Sequence, residues 1–523
     1  MAERVQIRPR TGPGEILPLA ARRDPDKVAL ICNDRQLTYS ELDELSAALA
    51  AALRRRGIGR GDVVSLYGQN SWEWIVSYHG ALRCGAAVNP VNVMLTRDEL
   101  RHVLSDCKAK ALFAGAPQLP TVLAANHGDP LTELVVSSGD CSPPGVISLA
   151  QLAGEGRGSP PPSVTPQPTD LCSIGYTSGT TGHPKGAMQS HQSVLLNCAL
   201  TAAMHGRTAA DIMVTALPSA HVYGNVAINS MFLVGGTVVL MERFDPATAL
   251  RLIDDNRATM FEGVPAMYSM MLTHPALGDA ALTSLRCSTV GGQTLAASVL
   301  DAWQQRTDAP LLELWGMTEI SGLGATHGIY CPPVPGSIGV SLPGVQLRVA
   351  DLDAGDRELG PGEQGELQVR GPLVMLGYFG LPDATAEVLR PDGWLRTGDL
   401  AYADESGHFF LVDRVKDMIV TAGYNIYPAE IERVIATHPD VAQVAVGRRS
   451  DDVRGEIAVA YVVARNGAVL TEDAIIDFCR DKLAAYKRPR TVVFTDALPV
   501  TSSGKVMRRK LIELDAYAVS DGN

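Results

Sequence analysis

Apolar residues recur along this chain at two spacings, which predict helices and strands in alternation from about residue 28 to residue 320. In residues 40–56 the leucines recur every three or four positions, so they form one apolar stripe along a helix. Short apolar runs such as 63–67 and 237–241 are typical of strands that are buried on both faces. The alternation predicts an α/β fold, in which helices cover the faces of largely parallel sheets.

This pattern changes twice towards the C-terminus. From about 336 to 413, short apolar runs are separated by Gly, Pro and Asp, which favours a small β-barrel or sheet. A separate unit of strands and helices begins near residue 414. We therefore predict a large N-terminal domain, 1–413, with α/β sheets to about residue 335 and the β-barrel subdomain after them. A small α+β C-terminal domain, 414–523, follows it.

Composition narrows the function classes. The 523 residues are 46% apolar and carry a net charge of −12, which argues against general binding to nucleic acid or to an anionic membrane surface. The longest apolar stretch, 226–240, is interrupted by Asn229 and by Gly235-Gly236, so it predicts a helix followed by a strand. Nine cysteines without a Cys-x-x-Cys pair give neither a zinc pattern nor a disulfide framework. We expect a cytoplasmic protein with no membrane span.

A loop rich in glycine and hydroxyl groups follows the strand-like run 171–176. Residues 176–186 read Tyr-Thr-Ser-Gly-Thr-Thr-Gly-His-Pro-Lys-Gly. Glycines let backbone N–H groups approach an anion, hydroxyls donate to phosphate oxygens, and Lys185 adds a positive charge. The alternative is a polar surface turn, but the embedded lysine favours a loop that binds a nucleoside triphosphate. The candidate phosphate-binding residues are Thr177, Ser178, Gly179, Thr180, Thr181, Gly182 and Lys185.

A second candidate segment, Trp315-Gly-Met-Thr-Glu319, ends a predicted strand. The aromatic ring could stack on a purine, and Glu319 could hold Mg²⁺ because this cation prefers oxygen ligands. A core role for Trp315 is the alternative. Upstream, the residues 290–295, Val-Gly-Gly-Gln-Thr-Leu, form another junction of strand and glycine where backbone could approach a base.

Two further segments carry charged residues. Asp399 ends the segment 393–399, and Arg414 lies in the segment 412–417. The two suit a ribose diol, since a carboxylate accepts both hydroxyl hydrogens while a guanidinium donates. A structural turn with a surface ion pair is the alternative. The segment Thr501-Ser-Ser-Gly-Lys505, near the C-terminus, places one lysine on a glycine-containing loop.

Together and in this order, the four segments resemble the acyl-adenylate-forming enzymes, which include acyl-CoA synthetases, 4-coumarate–CoA ligases, firefly luciferase and peptide-synthetase adenylation domains. The segments Arg414–Asp417, Gly423–Glu430 and Ser503–Lys505 add to the resemblance, which covers nearly the whole chain. It is most similar to the medium- or long-chain and aryl acyl-CoA ligases. The resemblance implies that ATP and an apolar carboxylic acid give acyl-AMP and pyrophosphate, after which the acyl group passes to coenzyme A.

The resemblance also implies residue roles. Catalytic roles fall to Lys505, Thr318, Glu319 and His221, with Glu319 binding Mg²⁺. Besides the phosphate loop, the residues implied to bind ATP or AMP are Gly292, Gln293, Thr294, Trp315, Gly316, Met317, Thr318, Asp399, Arg414 and Lys505. The implied acyl pocket comprises His221, Tyr223, Val226, Val264, Pro265, Met317, Gly322 and Leu323. The C-terminal domain would be mobile and rotate about Lys416, which would bring Ala422, Gly423 and Tyr424 to the pantetheine of CoA.

Several positions depart from the pattern of that family. Trp315 stands for the usual Tyr, Leu314 for a common Gly, Gln293 for a small residue, and Ala422 for the first of two glycines. These departures leave open an enzyme that mainly forms the thioester from a supplied acyl-AMP. Transfer to a carrier protein, a luciferase-like oxygenase and a non-catalytic relative are further alternatives. The acid itself and a homodimer are left open.

Overall fold

The structure is a computed structural model that describes residues 12–126, 128, 130–139, 143–160, 162, 164–177, 184–293, 295–352, 357–421, 424–451, 454–465, 467–500 and 506–518. Its α-helices are α1 (Ile16–Arg23), α2 (Tyr39–Arg55), α3 (Trp72–Cys84), α4 (Arg97–Asp106), α5 (Leu119–Ala125), α6 (Leu149–Gly156), α7 (His191–Met204), α8 (Val222–Val234), α9 (Pro246–Asp255), α10 (Pro265–Thr273), α11 (Ala297–Thr307), α12 (Pro382–Val388), α13 (Pro428–Ile435), α14 (Glu472–Arg480) and α15 (Leu511–Ala518).

Its strands are β1 (Val28–Cys32), β2 (Arg35–Thr38), β3 (Val63–Tyr67), β4 (Ala87–Pro90), β5 (Ala109–Ala114), β6 (Leu134–Ser137), β7 (Ile147–Ser148), β8 (Leu171–Thr177), β9 (Lys185–Ser190), β10 (Ile212–Thr215), β11 (Thr237–Leu240), β12 (Met260–Gly263), β13 (Cys287–Gly291), β14 (Leu311–Met317), β15 (Gly322–Thr326), β16 (Val340–Ser341), β17 (Gln346–Ala350), β18 (Gly365–Arg370), β19 (Gly377–Tyr378), β20 (Leu395–Ala403), β21 (Phe409–Arg414), β22 (Ile419–Thr421), β23 (Tyr424–Ile426), β24 (Val441–Asp451), β25 (Gly455–Ala464) and β26 (Thr491–Phe494).

Two large sheets dominate the first part of the chain. One has eight strands in the order β19-β9-β8-β4-β3-β5-β6-β7, and the other has nine in the order β16-β15-β14-β13-β12-β10-β11-β1-β2. The inner strands are parallel, and the antiparallel strands lie at the edges. Parallel neighbours need a crossover, which the helices between them supply. The predicted α/β fold with largely parallel sheets is confirmed.

Burial follows from this arrangement. Every residue of β3 and of β11 is buried, because helices and loops cover both faces of the inner strands. One continuous apolar core joins strands of both sheets with α1, α2, α3, α7 and α8. The predicted break in 226–240 is confirmed: α8 ends at Gly235, whose φ of 85° lies in the left-handed region that favours glycine, and β11 follows.

Helix starts follow their capping residues. Thr96 accepts from the backbone N–H of Glu99, and the Glu99 carboxylate accepts from the N–H of Thr96, so a capping box opens α4. Asp245 caps α9 through the N–H of Thr248, with Pro246 in the first turn.

The region 336–413 contains a four-stranded antiparallel sheet in the order β17-β18-β20-β21. Among the described strands, β17 and β21 are the two edges of this sheet and do not pair with each other. The sheet is therefore open, and of the two predicted alternatives, a small barrel or a small sheet, the structure has the sheet. The two-residue strands β16 and β19 do not close it, because they pair with the edges of the two larger sheets.

Residues from 419 onward form a five-stranded sheet in the order β23-β22-β25-β24, with β26 beside β25. Two apolar clusters cover its faces and contain only residues of this part of the chain. The domain boundary itself stays a prediction. Within the described ranges, no helix combines the length and apolar character that crossing a membrane requires.

Candidate active site

The predicted phosphate loop joins β8 to β9. These strands are antiparallel, and Thr177 at the end of one pairs with Lys185 at the start of the other. Lys185 is half-buried, and its Nζ lies 5.4 Å from the centroid of the Tyr378 ring. The predicted residues Ser178, Gly179, Thr180, Thr181 and Gly182 lie outside the described residues.

The predicted adenine and ribose residues meet at Asp399. The indole Nε1 of Trp315 donates to Asp399 Oδ2 at 2.9 Å, and Arg414 Nε contacts Asp399 Oδ1 at 2.6 Å. Trp315 and Asp399 are 5% and 4% exposed, so water screens these contacts weakly. The pair arises locally because Asp399 and Arg414 face each other across β20 and β21. The hydrogen bond between Trp315 and Asp399 joins residues that are 84 positions apart in the sequence.

Glu319 lies beside these residues in a buried position. The hydroxyl of Tyr378 donates to Glu319 Oε1 at 2.9 Å. Burial raises the pKa of the Glu319 carboxyl, and this hydrogen bond opposes the rise because it stabilises the ionised form. Tyr378 therefore contacts Glu319 through its hydroxyl, and its ring lies near the Lys185 ammonium.

Two close approaches hold the Trp315–Glu319 segment in place. A Cβ on Gly316 would lie 2.1 Å from the carbonyl oxygen of Gly322, so only glycine fits there. A Cβ on Gly175 of β8 would lie 2.5 Å from Thr318 Cγ2. Gln189 Nε2 also donates to the Thr318 carbonyl at 2.9 Å. The segment is thus packed directly against the strands that carry the phosphate loop.

The Gly292–Thr294 segment follows β13. Gly292 has a φ of 90°, in the left-handed region, which explains why glycine stands there. Gln293 is exposed, and Thr294 lies outside the described residues. Val264 Cγ1 lies 3.8 Å from where a Gly292 Cβ would be, so the adenine and acyl candidates adjoin here.

The acyl-pocket candidates gather around α8. His221 is exposed and caps α8, its Nδ1 accepting from the N–H of Tyr223 at 3.3 Å. Val226 faces Gly322, where a Cβ would lie 2.7 Å from Val226 Cγ2. The other candidates are also packed here: Val264 and Leu323 are buried, Met317 is half-buried, and Pro265 begins α10.

Tyr223 makes a contact that the sequence did not predict. Its hydroxyl lies 2.7 Å from Thr289 Oγ1, and both residues are buried. The phenol is therefore bonded to β13 and its tip is not free at the surface of the pocket.

The C-terminal candidates are described only in part. Lys416 is exposed in the turn Val415–Asp417, directly after β21. Tyr424 is 56% exposed, and its ring stacks on that of Tyr486 at 4.7 Å. Ala422, Gly423 and Lys505 lie outside the described residues.

Taken together, the geometry offers a diol-sized acceptor and donor pair at Asp399 and Arg414, an aromatic ring beside it, and a buried carboxylate at Glu319. The ammonium of Lys185 lies 5.4 Å from the centroid of the Tyr378 ring, whose hydroxyl donates to that carboxylate. Such a set can hold a nucleotide by its ribose and phosphates. Sequence reasoning missed Tyr378 and Gln189, since neither belongs to a pattern that marks a nucleotide site.

Comparisons with known proteins agree with this geometry. The AMP-binding enzyme family matches residues 17–379, and the AMP-binding enzyme C-terminal domain matches residues 430–505. The chain therefore belongs to the AMP-binding enzymes, the acyl-adenylate-forming family that its motifs predicted.

Several relatives that match nearly the whole chain are acyl-CoA ligases. The chain is 36% identical to the indoleacetate–CoA ligase of Aromatoleum aromaticum, covering 94% of this chain and 96% of the relative. It is 34% identical to the long-chain-fatty-acid–CoA ligase of Bacillus subtilis, covering 95% and 93%. The crystal structure of the anthranilate CoA ligase AuaEII with anthranoyl-AMP is similar with a TM-score of 0.89 and 26% identity, covering 98% of this chain and 99% of that one.

Proposed function

We propose that this AMP-forming acid–CoA ligase activates an apolar monocarboxylic acid and transfers its acyl group to the thiol of coenzyme A. The observation that carries the proposal is the Trp315–Asp399–Arg414 group beside Glu319. That group offers an aromatic ring for an adenine and a carboxylate with a guanidinium for a ribose diol, and the similar ligase structure holds an acyl-adenylate.

In the first half-reaction, a carboxylate oxygen attacks the α-phosphorus of ATP. The new oxygen–phosphorus bond gives acyl-AMP, and the bond to the β-phosphate breaks and releases pyrophosphate. A carboxylic acid is ionised at neutral pH, so the step needs no general base. Its barrier comes from the crowding of negative charge, and the side chains act mainly by electrostatics and positioning.

Each described side chain has a part in that positioning. Asp399 accepts the ribose hydroxyl hydrogens while Arg414 holds the Asp399 carboxylate in place. Trp315 packs against the base, and its bond to Asp399 couples the base site to the ribose site. Lys185, with Thr177 and the loop between them, would bind the β- and γ-phosphates.

Mg²⁺ is the expected metal, and the residues present fit it. Among the described residues no group of three or more His, Cys, Asp and Glu could hold a metal ion, so a site of protein ligands alone is absent there. Mg²⁺ commonly uses one or two carboxylates together with phosphate oxygens, and Glu319 supplies one buried carboxylate beside the nucleotide group. The ion would neutralise phosphate charge, and Glu319 is the residue that would hold it.

The second half-reaction requires a different set of groups. The CoA sulfur attacks the acyl carbon, and AMP leaves with its phosphate oxygen. We assign the first half-reaction to Lys505 and the second to the segment around Ala422–Tyr424, exchanged by rotation of residues 414–523 about Lys416. The separate apolar clusters after residue 419 support such a rotation, because a unit with its own core can move as a body.

The acid is expected to be apolar because the candidate pocket is. Its candidate residues Val226, Val264, Met317 and Leu323 are all apolar, and a dicarboxylate would leave a second charge without a partner among them. Relatives that act on fatty acid and indoleacetate, and a neighbour that acts on anthranilate, also support a monoacid.

The test is a panel of fatty, aryl and polycyclic acids with ATP, Mg²⁺ and CoA, in which AMP and thioester are both measured. We expect equal amounts of AMP and thioester with at least one apolar monoacid, and neither with malonate. AMP without thioester would point to another acceptor, such as a carrier protein. Failure to form AMP with every acid would refute the proposal.

A further inference from the structure

A buried ion pair lies directly beneath the acyl-pocket candidates. Arg207 and Glu262 are both 0% exposed, and Arg207 Nη2 donates to Glu262 Oε1. Arg207 Nη1 also donates to the Ala227 carbonyl at 2.9 Å and to Ser230 Oγ at 2.8 Å, both on α8. The pair therefore joins the helix of the acyl pocket to the sheet below it.

Further buried polar groups are hydrogen-bonded to this pair, and together with it they form a polar layer. Arg207 Nη2 lies 3.2 Å from His205 Nδ1, and His205 Nε2 lies 3.0 Å from Thr326 Oγ1. Since a guanidinium can only donate, Nδ1 is the acceptor and Nε2 carries the hydrogen. Burial and the charge of Arg207 lower the pKa of His205, which fits this neutral form.

Strand register fixes where the layer lies. Glu262 pairs with Thr289 across the parallel strands β12 and β13, so their side chains project from the same face. On that face the Tyr223 hydroxyl meets Thr289 Oγ1. Val264 directly follows β12 and Gly292 directly follows β13, so these residues of the acyl and adenine candidates lie towards the carboxyl ends of the strands from Glu262 and Thr289. The polar residues Glu262 and Thr289 therefore lie on the amino-terminal side of the acyl and adenine candidates along β12 and β13.

A long alkyl chain would meet an unfavourable surface here. Arg207 Nε is buried and has no hydrogen-bond partner, and the Glu262 carboxylate beside it is 0% exposed, so the guanidinium already lacks part of its solvation. Methylene groups that reached this region would break the hydrogen bond between Tyr223 and Thr289, and they offer no donor or acceptor in its place. A buried charge pair also tolerates little displacement, because separating its partners leaves an uncompensated charge.

We propose that the Arg207–Glu262 pair ends the acyl pocket and restricts this enzyme to compact acids, excluding long alkyl chains. The inference rests on the proposed function and adds the size class of its acid. Arg207 and Glu262 act as specificity-determining residues, and they do not touch the reacting atoms.

The test compares kcat/KM for octanoate and palmitate in the wild-type enzyme and in the double variant Arg207→Met/Glu262→Ala. We expect the wild type to favour octanoate by at least about tenfold, the effect of forcing extra methylenes into a packed site. The double variant replaces the pair by smaller apolar groups, and the ratio should move towards palmitate by about tenfold or more. As a matched control, Arg83→Met/Asp43→Asn removes another partly buried ion pair, between α2 and α3, and should leave the ratio unchanged.

A wild-type enzyme that uses palmitate as well as octanoate would overturn the inference, and so would an unchanged ratio in a folded double variant. If that variant does not fold, the affinities of the wild type for octanoyl and palmitoyl sulfamoyl-adenosine decide, and equal affinities reject the inference. If the enzyme forms no AMP with any acid, the proposed function is refuted. That result differs from the results that refute the size restriction alone.

Discussion

At the scale of single residues, Asp399 has two partners that a nucleotide site needs. It accepts from the indole of Trp315 and from the guanidinium of Arg414 while almost fully buried. At Trp315 the resemblance implied a Tyr, and the structure shows what the indole of Trp adds, a hydrogen-bond donor to Asp399. This hydrogen bond to the Asp399 carboxylate restricts the orientation of the indole ring.

Replacing Asp399 should therefore weaken nucleotide binding. Asp399→Asn removes the charge that holds Arg414 and the acceptor for one ribose hydroxyl, so we expect KM for ATP to rise by about ten- to a hundredfold, the effect of losing a charged hydrogen bond. Steady-state kinetics with varied ATP measure it. Asp404→Asn, in the next turn, is the control and should leave KM for ATP unchanged, and an unchanged KM in Asp399→Asn would contradict the ribose role.

Glu313, two residues before Trp315, predicts a dependence of stability on pH. Burial raises the pKa of Glu313 from 4.5 to about 7, although the Gly336 N–H donates to its Oε1. The unfolded chain therefore loses this proton at lower pH than the folded protein does. It follows that the free energy of unfolding falls as pH rises from about 4.5 to about 7, by up to about 3 kcal/mol at roughly 1.4 kcal/mol per pKa unit.

Glu313→Gln keeps the shape and the acceptor for Gly336 but cannot ionise. We expect the variant to unfold at a higher denaturant concentration than the wild type at pH 8 and to differ little from it near pH 4.5. Equal pH dependence of unfolding in both proteins would show that Glu313 does not titrate in this range.

At the scale of elements, the two-residue strand β19 positions a side chain of the candidate site. It pairs with β9, directly after the phosphate loop, and thereby carries Tyr378 to Glu319. The strand positions a hydroxyl that helps to keep Glu319 ionised.

Tyr378→Phe should therefore change the response to pH and to Mg²⁺. Without the donor the pKa of Glu319 rises further, so the acid limb of the pH profile of kcat/KM should shift to higher pH. The concentration of Mg²⁺ for half-maximal rate at pH 7 should also rise by about tenfold, the effect of one hydrogen bond to a charged group. Tyr402→Phe is the control, because that ring stacks on Phe410 on the neighbouring strand. Unchanged pH and Mg²⁺ profiles would remove Tyr378 from the site.

Elements were largely predictable from sequence, because their signals are local. The capping box at Thr96, the cap at Asp245 and the break at Gly235 each depend on residues a few positions apart. The contacts that the sequence missed join distant positions. Tyr378 reaches Glu319 across 59 residues, and Arg207 reaches Glu262 across 55. No periodicity links such pairs, and only the order of strands in the sheets brings them together.

At the scale of the whole molecule, one site must serve two reactions in turn. The part of the chain after residue 419 packs around its own apolar clusters, and Lys416 is exposed in the turn before it. This organisation suits a lid that rotates on a short connection while its core stays intact.

The two half-reactions should therefore separate in one variant. Lys505→Ala should abolish acyl-AMP formation and spare thioester formation from a supplied acyl-AMP, because only the first step needs a cation at the α-phosphate. Lys510→Ala is the control at another C-terminal lysine and should retain both steps. Equal loss of both half-reactions in Lys505→Ala would refute the division of labour.

The central claim is that this site joins an acid to AMP, and isotope exchange between pyrophosphate and ATP measures it most directly. In the absence of CoA, the wild-type enzyme should exchange labelled pyrophosphate into ATP only when a suitable apolar acid is present. Asp399→Asn should need a higher concentration of ATP for the same exchange. Exchange that is independent of any acid, or none across a broad panel of acids, would contradict the account.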